Sequence, residues 1–423
     1  MISSAGGRVV VIGQGYVGLP LAMRAVEVGY DVVGFDTDKD RIDLLKRAST
    51  FIDDVDDAEL TTALASGRYR PTSDRSALAG FETAVVCVPT PLRDGAPDLD
   101  YIEEAARILA GHLMPGCCVI LESTTYPGTT EEIFVPILEA GSGLRAGVEF
   151  SVGYSPERID PSNRTWRFHN TPKIVSGVDA KSTAVVREFY DSLVECTVPV
   201  PGTREAELTK LLENTFRHVN IALVNELAVH CHGLGVDVWS VIDAAASKPF
   251  GFMRFTPGPG VGGHCLPIDP TYLSWQSRRA LGQAFRFVDL ANDVNEHMPD
   301  YVVVRAVEHL NRRHKAVNGS RILLAGLAYK LNSGDARHSP AMSVAKRLNA
   351  LGAELCAVDP LIDPAQVPVD VQMVPCAPEQ IARADLVIVL TDHDAFDWEL
   401  LERHAERVLD TRNRVRAAGV EKL

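Results

Sequence analysis

The 423-residue chain is 46% hydrophobic and 23% charged, with a formal net charge of -14. Such a length holds two or three cores at roughly 150 residues each, and the composition excludes a disordered or fibrous chain. The acidic balance excludes a general nucleic-acid or anionic-membrane binder, while leaving room for a local basic pocket around a phosphorylated ligand.

The chain opens MISSAGGRVVVIG, with no charged leader ahead of a long apolar core, and no apolar run reaches membrane-spanning length. A cytoplasmic protein with neither nucleic-acid nor membrane partners is expected. Eight scattered cysteines without paired short spacings read as reduced thiols.

Residues 8–12, 31–36, 83–88, 118–122 and 149–154 read as strands separated by helical stretches, the alternation of a parallel, doubly wound sheet. Between the first strand and its helix, Gly13, Gly15 and Gly18 form G-x-G-x-x-G around Tyr16 and Val17. Alone that spacing also fits any tight strand-to-helix turn. Its context points further: Asp36 ends the next strand, where a carboxylate can accept both ribose hydroxyls, and the glycines let a pyrophosphate approach the helix start. An acid at that position repels a 2′-phosphate, which favours NAD over NADP; Arg41 works in the opposite direction.

Two further loops, VPTP with Pro89 and Thr90 and STTYPGT with Thr124, follow later strands, at the sheet end where ligands sit. Both also read as ordinary turns. Glu157 and Arg158, in GYSPERIDP, follow the next strand and share that ambiguity.

From 205 to 232 the pattern turns helical, free of Gly and Pro, with Leu208, Leu211, Leu212, Phe216, Val219, Leu223 and Leu227 spread around much of the circumference. Lys210 and Asn214 share one face of it. The loop FTPGPGVGGHCLPIDP carries Phe255, Gly258, Gly260, Gly262, Gly263, His264, Cys265 and Asp269. A lone cysteine is ordinarily a small buried hydrophobe, but so many glycines bring backbone close to a ligand, and a stiff loop presents a thiolate well. His264 can lower the thiol pKa or point away.

Alternation resumes with RILLAGLAY, a helix over 339–351, ELCAVD and DLVIVLT. The fold expected is α/β: two Rossmann-like doubly wound domains, 1–200 and 316–423, joined by a helical domain, 201–315, built on the long helix. His230, Cys231 and His232 would point in three directions, and TDHDAFD lacks a second cluster, so no metal site is expected.

Taken together, GQGYVGLPLA, FDTD, VPTP, ESTTYPGTT, SPERIDP, TPKIVSG, ELTKLLENTFRHVNIALVNELA, PGPGVGGHCLPIDPTYLSW, NDVNEHMP and GLAYKLNSGDARHSPA resemble, in order, the UDP-glucose/GDP-mannose dehydrogenase family over nearly the whole chain. The cysteine loop is similar to the branch that oxidises UDP-N-acetylhexosamines, especially UDP-N-acetylglucosamine, more than to UDP-glucose dehydrogenases. The resemblance implies two NAD consumed per UDP-sugar, with Cys265 as nucleophile and a thioester intermediate. It places Lys210 and Asn214 at C6, Asp269 on a catalytic water, and Glu157 beside Thr124 at thioester hydrolysis. It further implies that Tyr329 and Lys330 contact substrate, that Arg337 reaches the cofactor, that residues 255–263 cradle UDP, and that a homodimer forms through the long helix. Arg254 and His338 depart from the branch pattern, which expects a proline and a glutamate. UDP-glucose oxidation, a two-electron hydroxyacid dehydrogenase and a silent NAD- or nucleotide-sugar-binding regulator are the alternatives.

Overall fold

The computed structural model describes residues 6–423 apart from 53, 160–162, 164, 264 and 265. The chain divides into two compact units, one of residues 1–213 with 275–283, the other of residues 214–274 with 284–423.

The first unit is built on an eight-stranded sheet. From one edge its order is Thr197–Pro199, Lys173–Gly177, Ser151–Tyr154, Cys118–Leu121, Thr83–Val86, Arg8–Ile12, Asp31–Phe35 and Tyr69–Thr72. Alternate residues of each strand face opposite sides. Val9 and Val11 therefore enter one core with Leu19, Ala22 and Val26 of the first helix, Gly18–Glu27, while Val10 and Ile12 enter the other with Ile102, Ala106 and Leu109. Each fully buried valine or leucine contributes about 1.5–3 kcal/mol. Strand order reverses between Arg8–Ile12 and Thr83–Val86, which makes the carboxyl ends of these two strands the switch-point crevice of the sheet.

The first strand matches its expected range, and the others expected are shorter than the sequence pattern suggests. The second ends at Phe35, because Asp36 turns its carboxylate back to the Gln14 N–H at 2.8 Å. The strands expected over 83–88, 118–122 and 149–154 run Thr83–Val86, Cys118–Leu121 and Ser151–Tyr154. One pairing departs from the all-parallel expectation: Ser151–Tyr154 and Lys173–Gly177 run antiparallel. Among the described residues, the connection between them holds no helix to carry the chain back across a face, so the next strand returns in the opposite direction.

The helix expected over 205–232 extends over Thr203–Leu234. In the second unit a six-stranded parallel sheet is ordered Gln372–Met373, Glu354–Val358, Arg321–Ala325, Leu386–Val389, Val408–Asp410 and Glu421–Lys422. The helix expected over 339–351 spans Pro340–Ala350; Ser339 caps it and Pro340 occupies the first turn, where a missing N–H costs nothing. Among the described residues no helix is long and apolar enough to cross a membrane.

The last strand is pinned by charge. Glu421 accepts from Arg305 at 2.7 Å, from His309 at 2.9 Å and from Arg312. Burial alone would raise its carboxyl, but the hydrogen bonds from His309, Arg312 and Arg305 outweigh that and hold it at about 2. Glu421→Gln takes the nearer carboxylate from the buried Arg305 guanidinium, leaving it only Glu308 at 3.6 Å, and is expected to destabilise the unit by about 3 kcal/mol at pH 7. Because the folded value lies below the unfolded one of about 4.3, this stability is present above that pH and lost as pH falls towards 2. Urea unfolding followed through Trp398 should show the wild-type and mutant midpoints converging over that interval.

Candidate active site

In the first unit the turn after strand Arg8–Ile12 is shaped by contact with its neighbours. Gly13 has φ +91°, and a Cβ there would sit 2.4 Å from the Cys87 carbonyl oxygen; a Cβ on Gly18 would sit 1.9 Å from the Gly13 oxygen. Gly15, by contrast, faces open space. The helix that follows has no side-chain cap at Val17; Leu19 and Leu21 donate their N–H groups to the Gly15 and Val17 carbonyls at 3.1 and 3.3 Å and Pro20 has none, so the approach left to an anion is the turn ahead of Leu19, at the positive end of the helix dipole. Asp36 is buried and accepts from the Gln14 N–H at 2.8 Å, the Asp38 N–H at 3.0 Å and Arg41 Nη1 at 2.8 Å. That leaves part of a carboxylate's roughly four acceptor positions for a ribose. An uncapped helix start, a clear approach at Gly15 and a fixed carboxylate fit NAD. Arg41 is spent on Asp36, with its guanidinium 5.2 Å from the Phe51 ring centroid, and Tyr16 meets the same ring edge-on.

Gln14 gave no signal in the sequence beyond being the variable residue between two glycines. It is fully buried, donates to the Val11 carbonyl at 2.9 Å and accepts from the Tyr69 hydroxyl at 2.7 Å. It therefore locks the turn that presents the glycines.

At the neighbouring strand ends Pro89 is exposed, Thr90 buried and Thr124 half-buried. The hydroxyls flanking Thr124 are tied inward, Ser123 to the Val88 carbonyl at 2.8 Å and Thr125 to Thr129 at 2.6 Å. Glu207 holds this loop: its carboxylate accepts from the N–H groups of Gly128 at 2.6 Å and Thr130 at 2.8 Å and from the Thr130 hydroxyl at 2.7 Å. Burial pushes its carboxyl up to about 7 against those donors.

Three residues downstream on the same helix, Lys210 donates to the main-chain carbonyl of Glu157 at 2.6 Å and to its carboxylate at 3.2 Å. Both side chains are nearly buried. Arg158, whose place after a strand left open a ligand role or an ordinary turn, forks onto Glu213 at 2.6 and 3.3 Å and donates to the Pro172 carbonyl at 2.5 Å.

In the second unit Asn214 donates to the Asp269 carboxylate at 2.5 Å. Asp269 is buried in the first turn of helix Asp269–Leu281, where a negative charge complements the helix dipole. The glycine loop is held by a chain of amides that sequence reasoning missed. The Gly258 N–H donates to Asn225 at 2.9 Å, Asn225 to Asn295 at 2.8 Å, and Asn295 to the Nδ1 of His218 at 3.3 Å, while His218 Nε2 meets Asn292 at 2.7 Å. Burial lowers the His218 pKa, in keeping with a neutral ring that accepts at Nδ1 and donates at Nε2.

The same loop packs against the far end of the chain. A Cβ on Gly263, at φ +84°, would lie 2.7 Å from the Tyr329 ring, and one on Gly258 would lie 2.5 Å from Arg412 Nη1. Arg412, another residue the sequence did not flag, donates through Nε to the Leu390 carbonyl at 2.8 Å. Gly260 is half-buried, Gly262 buried and Lys330 half-buried. Phe255 meets Phe216 edge-on at 5.8 Å. Arg337, expected at the cofactor, forks onto Asp335 at 2.6 and 2.9 Å. Of the two departures, Arg254 pairs with Asp243 at 2.8 Å, and His338 takes a left-handed φ of +50° in the turn before the Ser339 cap. Cys265 and His264 lie outside the described residues.

Models of the NAD-binding, central and UDP-binding domains of the UDP-glucose/GDP-mannose dehydrogenase family match residues 7–194, 204–297 and 323–417. The chain belongs to this family. It is thus an NAD-dependent oxidoreductase of nucleotide sugars. A UDP-N-acetyl-D-mannosamine dehydrogenase of Pyrococcus horikoshii is 34% identical, over 98% of this chain and 97% of that one. A UDP-N-acetyl-D-glucosamine 6-dehydrogenase of Salmonella typhi is 36% identical, over 92% and 90%. Among solved structures, the UDP-D-ManNAc dehydrogenase of Pyrococcus horikoshii matches with a TM-score of 0.88 at 33% identity, over 98% of both chains. A UDP-glucose dehydrogenase of Pyrobaculum islandicum matches with a TM-score of 0.87 at 28% identity, over 99% and 97%.

Since Asp36 both fixes the turn and occupies Arg41, Asp36→Ser is expected to weaken NAD use and release the guanidinium for a 2′-phosphate. Steady-state kinetics should show kcat/KM for NAD down by about tenfold, roughly 1.4 kcal/mol, and NADP turnover becoming measurable.

Proposed function

We propose that the enzyme oxidises the C6 alcohol of a UDP-N-acetylhexosamine, foremost UDP-N-acetylglucosamine, to the uronic acid through a covalent intermediate on Cys265. The product would be a precursor for polysaccharide or another glycan or glycoside. The observation that carries this reading is a pair of ready-made couples at adjacent turns of helix Thr203–Leu234: Lys210 on Glu157, and Asn214 on Asp269. A binding protein has no use for two such couples.

NAD, when bound, supplies the hydride acceptor, and two are consumed because alcohol to carboxylate removes four electrons. Lys210 donates to the main-chain oxygen and to one carboxylate oxygen of Glu157, and a lysine in its ammonium form, paired with a carboxylate, has no acceptor. The proton of the C6 hydroxyl therefore passes through water to the carboxylate of Asp269, while Lys210 and Asn214 stabilise negative charge on the sugar oxygen. The Cys265 thiolate adds to the aldehyde carbon, forming a thiohemiacetal; oxidation of that adduct leaves a thioester. Water activated at Glu157, beside Thr124, attacks the thioester and releases the acid and the thiol. Residues 1–200 serve the cofactor, 201–315 the reacting centre and 316–423 the UDP portion. There Gly258, Gly260 and Gly262 give backbone approach, and Tyr329, Lys330 and Arg412 give contacts.

The P-G-P-G-x-G-G-H-C loop and the glucosamine-specific relative both support an N-acetylglucosamine substrate. The mannosamine epimer is a second reading, favoured by the relative that aligns with 98% of this chain. Leu208, Leu212, Phe216 and Leu223 are exposed and fall within about 80° of one another around the helix, at 3.6 residues per turn. Such a stripe supports a homodimer through this helix.

Two measurements test the reading. Cys265→Ser is expected to lower kcat by at least about a thousandfold, because serine is the weaker nucleophile and its ester the harder to release; full turnover by this variant would contradict the covalent route. Across UDP-N-acetylglucosamine, UDP-N-acetylgalactosamine, UDP-N-acetylmannosamine and UDP-glucose, NADH production should give the highest kcat/KM with the first. A preference for UDP-glucose would overturn the N-acetylated assignment.

A further inference from the structure

Behind Glu157, in the first unit, lies a second buried ion pair. Glu122, directly after strand Cys118–Leu121, has no exposed surface, and Lys173, the first residue of strand Lys173–Gly177, is 4% exposed. Their side chains are in contact as an ion pair. Glu122 also accepts from the Tyr190 hydroxyl at 3.1 Å and lies 3.7 Å from the Cys87 sulfur. The Lys173 ammonium faces the rings of Tyr190 and Phe168 at 5.0 and 5.6 Å. Such a pair is expensive to bury, and replacement by apolar residues is often neutral or stabilising, so its presence calls for a role other than stability.

That role lies in where the ammonium points. Lys173 Nζ donates to the Pro156 carbonyl at 3.0 Å, and Lys210 Nζ donates to the next carbonyl, that of Glu157, at 2.6 Å. Two consecutive carbonyls of one turn are each held by a lysine. The same turn is laced to the Lys173 strand twice more, by Ser155 to the Ile174 carbonyl at 2.6 Å and by Arg158 to the Pro172 carbonyl at 2.5 Å.

We propose that Lys173, anchored by Glu122, is a positioning residue that sets the turn of Ser155, Pro156 and Glu157 and so aims the Glu157 carboxylate at the thioester. This rests on the reading of Glu157 as the group that activates water. Lys173 touches neither substrate nor cofactor; it acts through the Pro156 peptide. Without its donor the turn loses one of its ties, and the carboxylate loses its aim at the step that needs it. The two oxidations meet that carboxylate only as a partner of Lys210, which also keeps its bond to the Glu157 main-chain carbonyl, and so lose less than the hydrolysis does.

The test is stopped-flow measurement of NADH with the best UDP-sugar of the panel above. The paired variant Glu122→Gln/Lys173→Met removes both charges together and leaves no lone buried ion. It is expected to form its first two NADH per site within about twofold of the wild-type rate and then to turn over about tenfold more slowly, with KM values within about twofold of wild type. Lys173→Arg keeps the charge but alters the donor geometry, and should show the same two phases with a loss of about threefold. If the paired variant does not fold, Lys173→Arg alone decides. Wild-type steady-state turnover in the folded Lys173 variants, or a first phase slowed as much as the second, overturns the proposal. Glu157→Gln, run alongside, separates the two readings. Slow second phases in all the variants support both. A slow second phase in Glu157→Gln alone sinks the brace and leaves the role of Glu157 standing. Absence of a slow phase in Glu157→Gln removes the reading beneath it.

Discussion

A lysine ammonium taken out of water must find anions or carbonyls, and Lys210 finds both on one residue, Glu157. Much of the first unit is arranged around satisfying that requirement. The long helix must bring Lys210 to the strand end where the Glu157 turn lies, and Glu207, one turn earlier, fastens the loop after strand Cys118–Leu121 to the same helix. Lys173 and Arg158 then fix the turn from the side of strand Lys173–Gly177. Each bond joins residues far apart in sequence, so the buried charges determine the positions of elements whose apolar faces alone would permit sliding.

The two α/β units repeat one device with different outcomes. In the first, Asp36 after the second strand closes onto the Gln14 N–H of the glycine turn and keeps acceptor capacity for a ligand. In the second, Asp359 stands in the equivalent place after strand Glu354–Val358 and accepts from the N–H groups of Leu327 and Ala328 at 2.7 and 3.1 Å and from His393 at 3.2 Å. Burial would raise its carboxyl, but His393 and the backbone donors hold it at about 2. That carboxylate is consumed within the fold. Asp359 is thus engaged where Asp36 keeps room, and in the loop after strand Arg321–Ala325 Tyr329 packs on Gly263.

What the sequence disclosed and what it concealed follow from range. The glycine turn, Asp36, the long helix and the alternating strands are local patterns, and the structure contains each within a few residues of its expected limits. Roles for Glu157, Lys210, Asn214 and Asp269 were implied only by the family resemblance, since no spacing reveals them. Features that depend on tertiary pairing were not legible. Asn225 holds Gly258 across 33 residues, and Glu207 reaches Gly128 across 79. Lys173 reads as an ordinary strand-edge lysine until burial brings it to Glu122. Arg158 and Arg337 show the converse: an arginine in a motif invites a ligand role, yet in the structure both forks are engaged by carboxylates of their own chain.

In the proposed reaction one site carries an alcohol through an enzyme-bound aldehyde to an acid without release. The most direct measurement is the amount of NADH formed per mole of UDP-sugar consumed, with the sugar limiting and NAD in excess. The account predicts two, with no free aldehyde detectable by a carbonyl trap. One NADH per sugar, with aldehyde accumulating in solution, would contradict it.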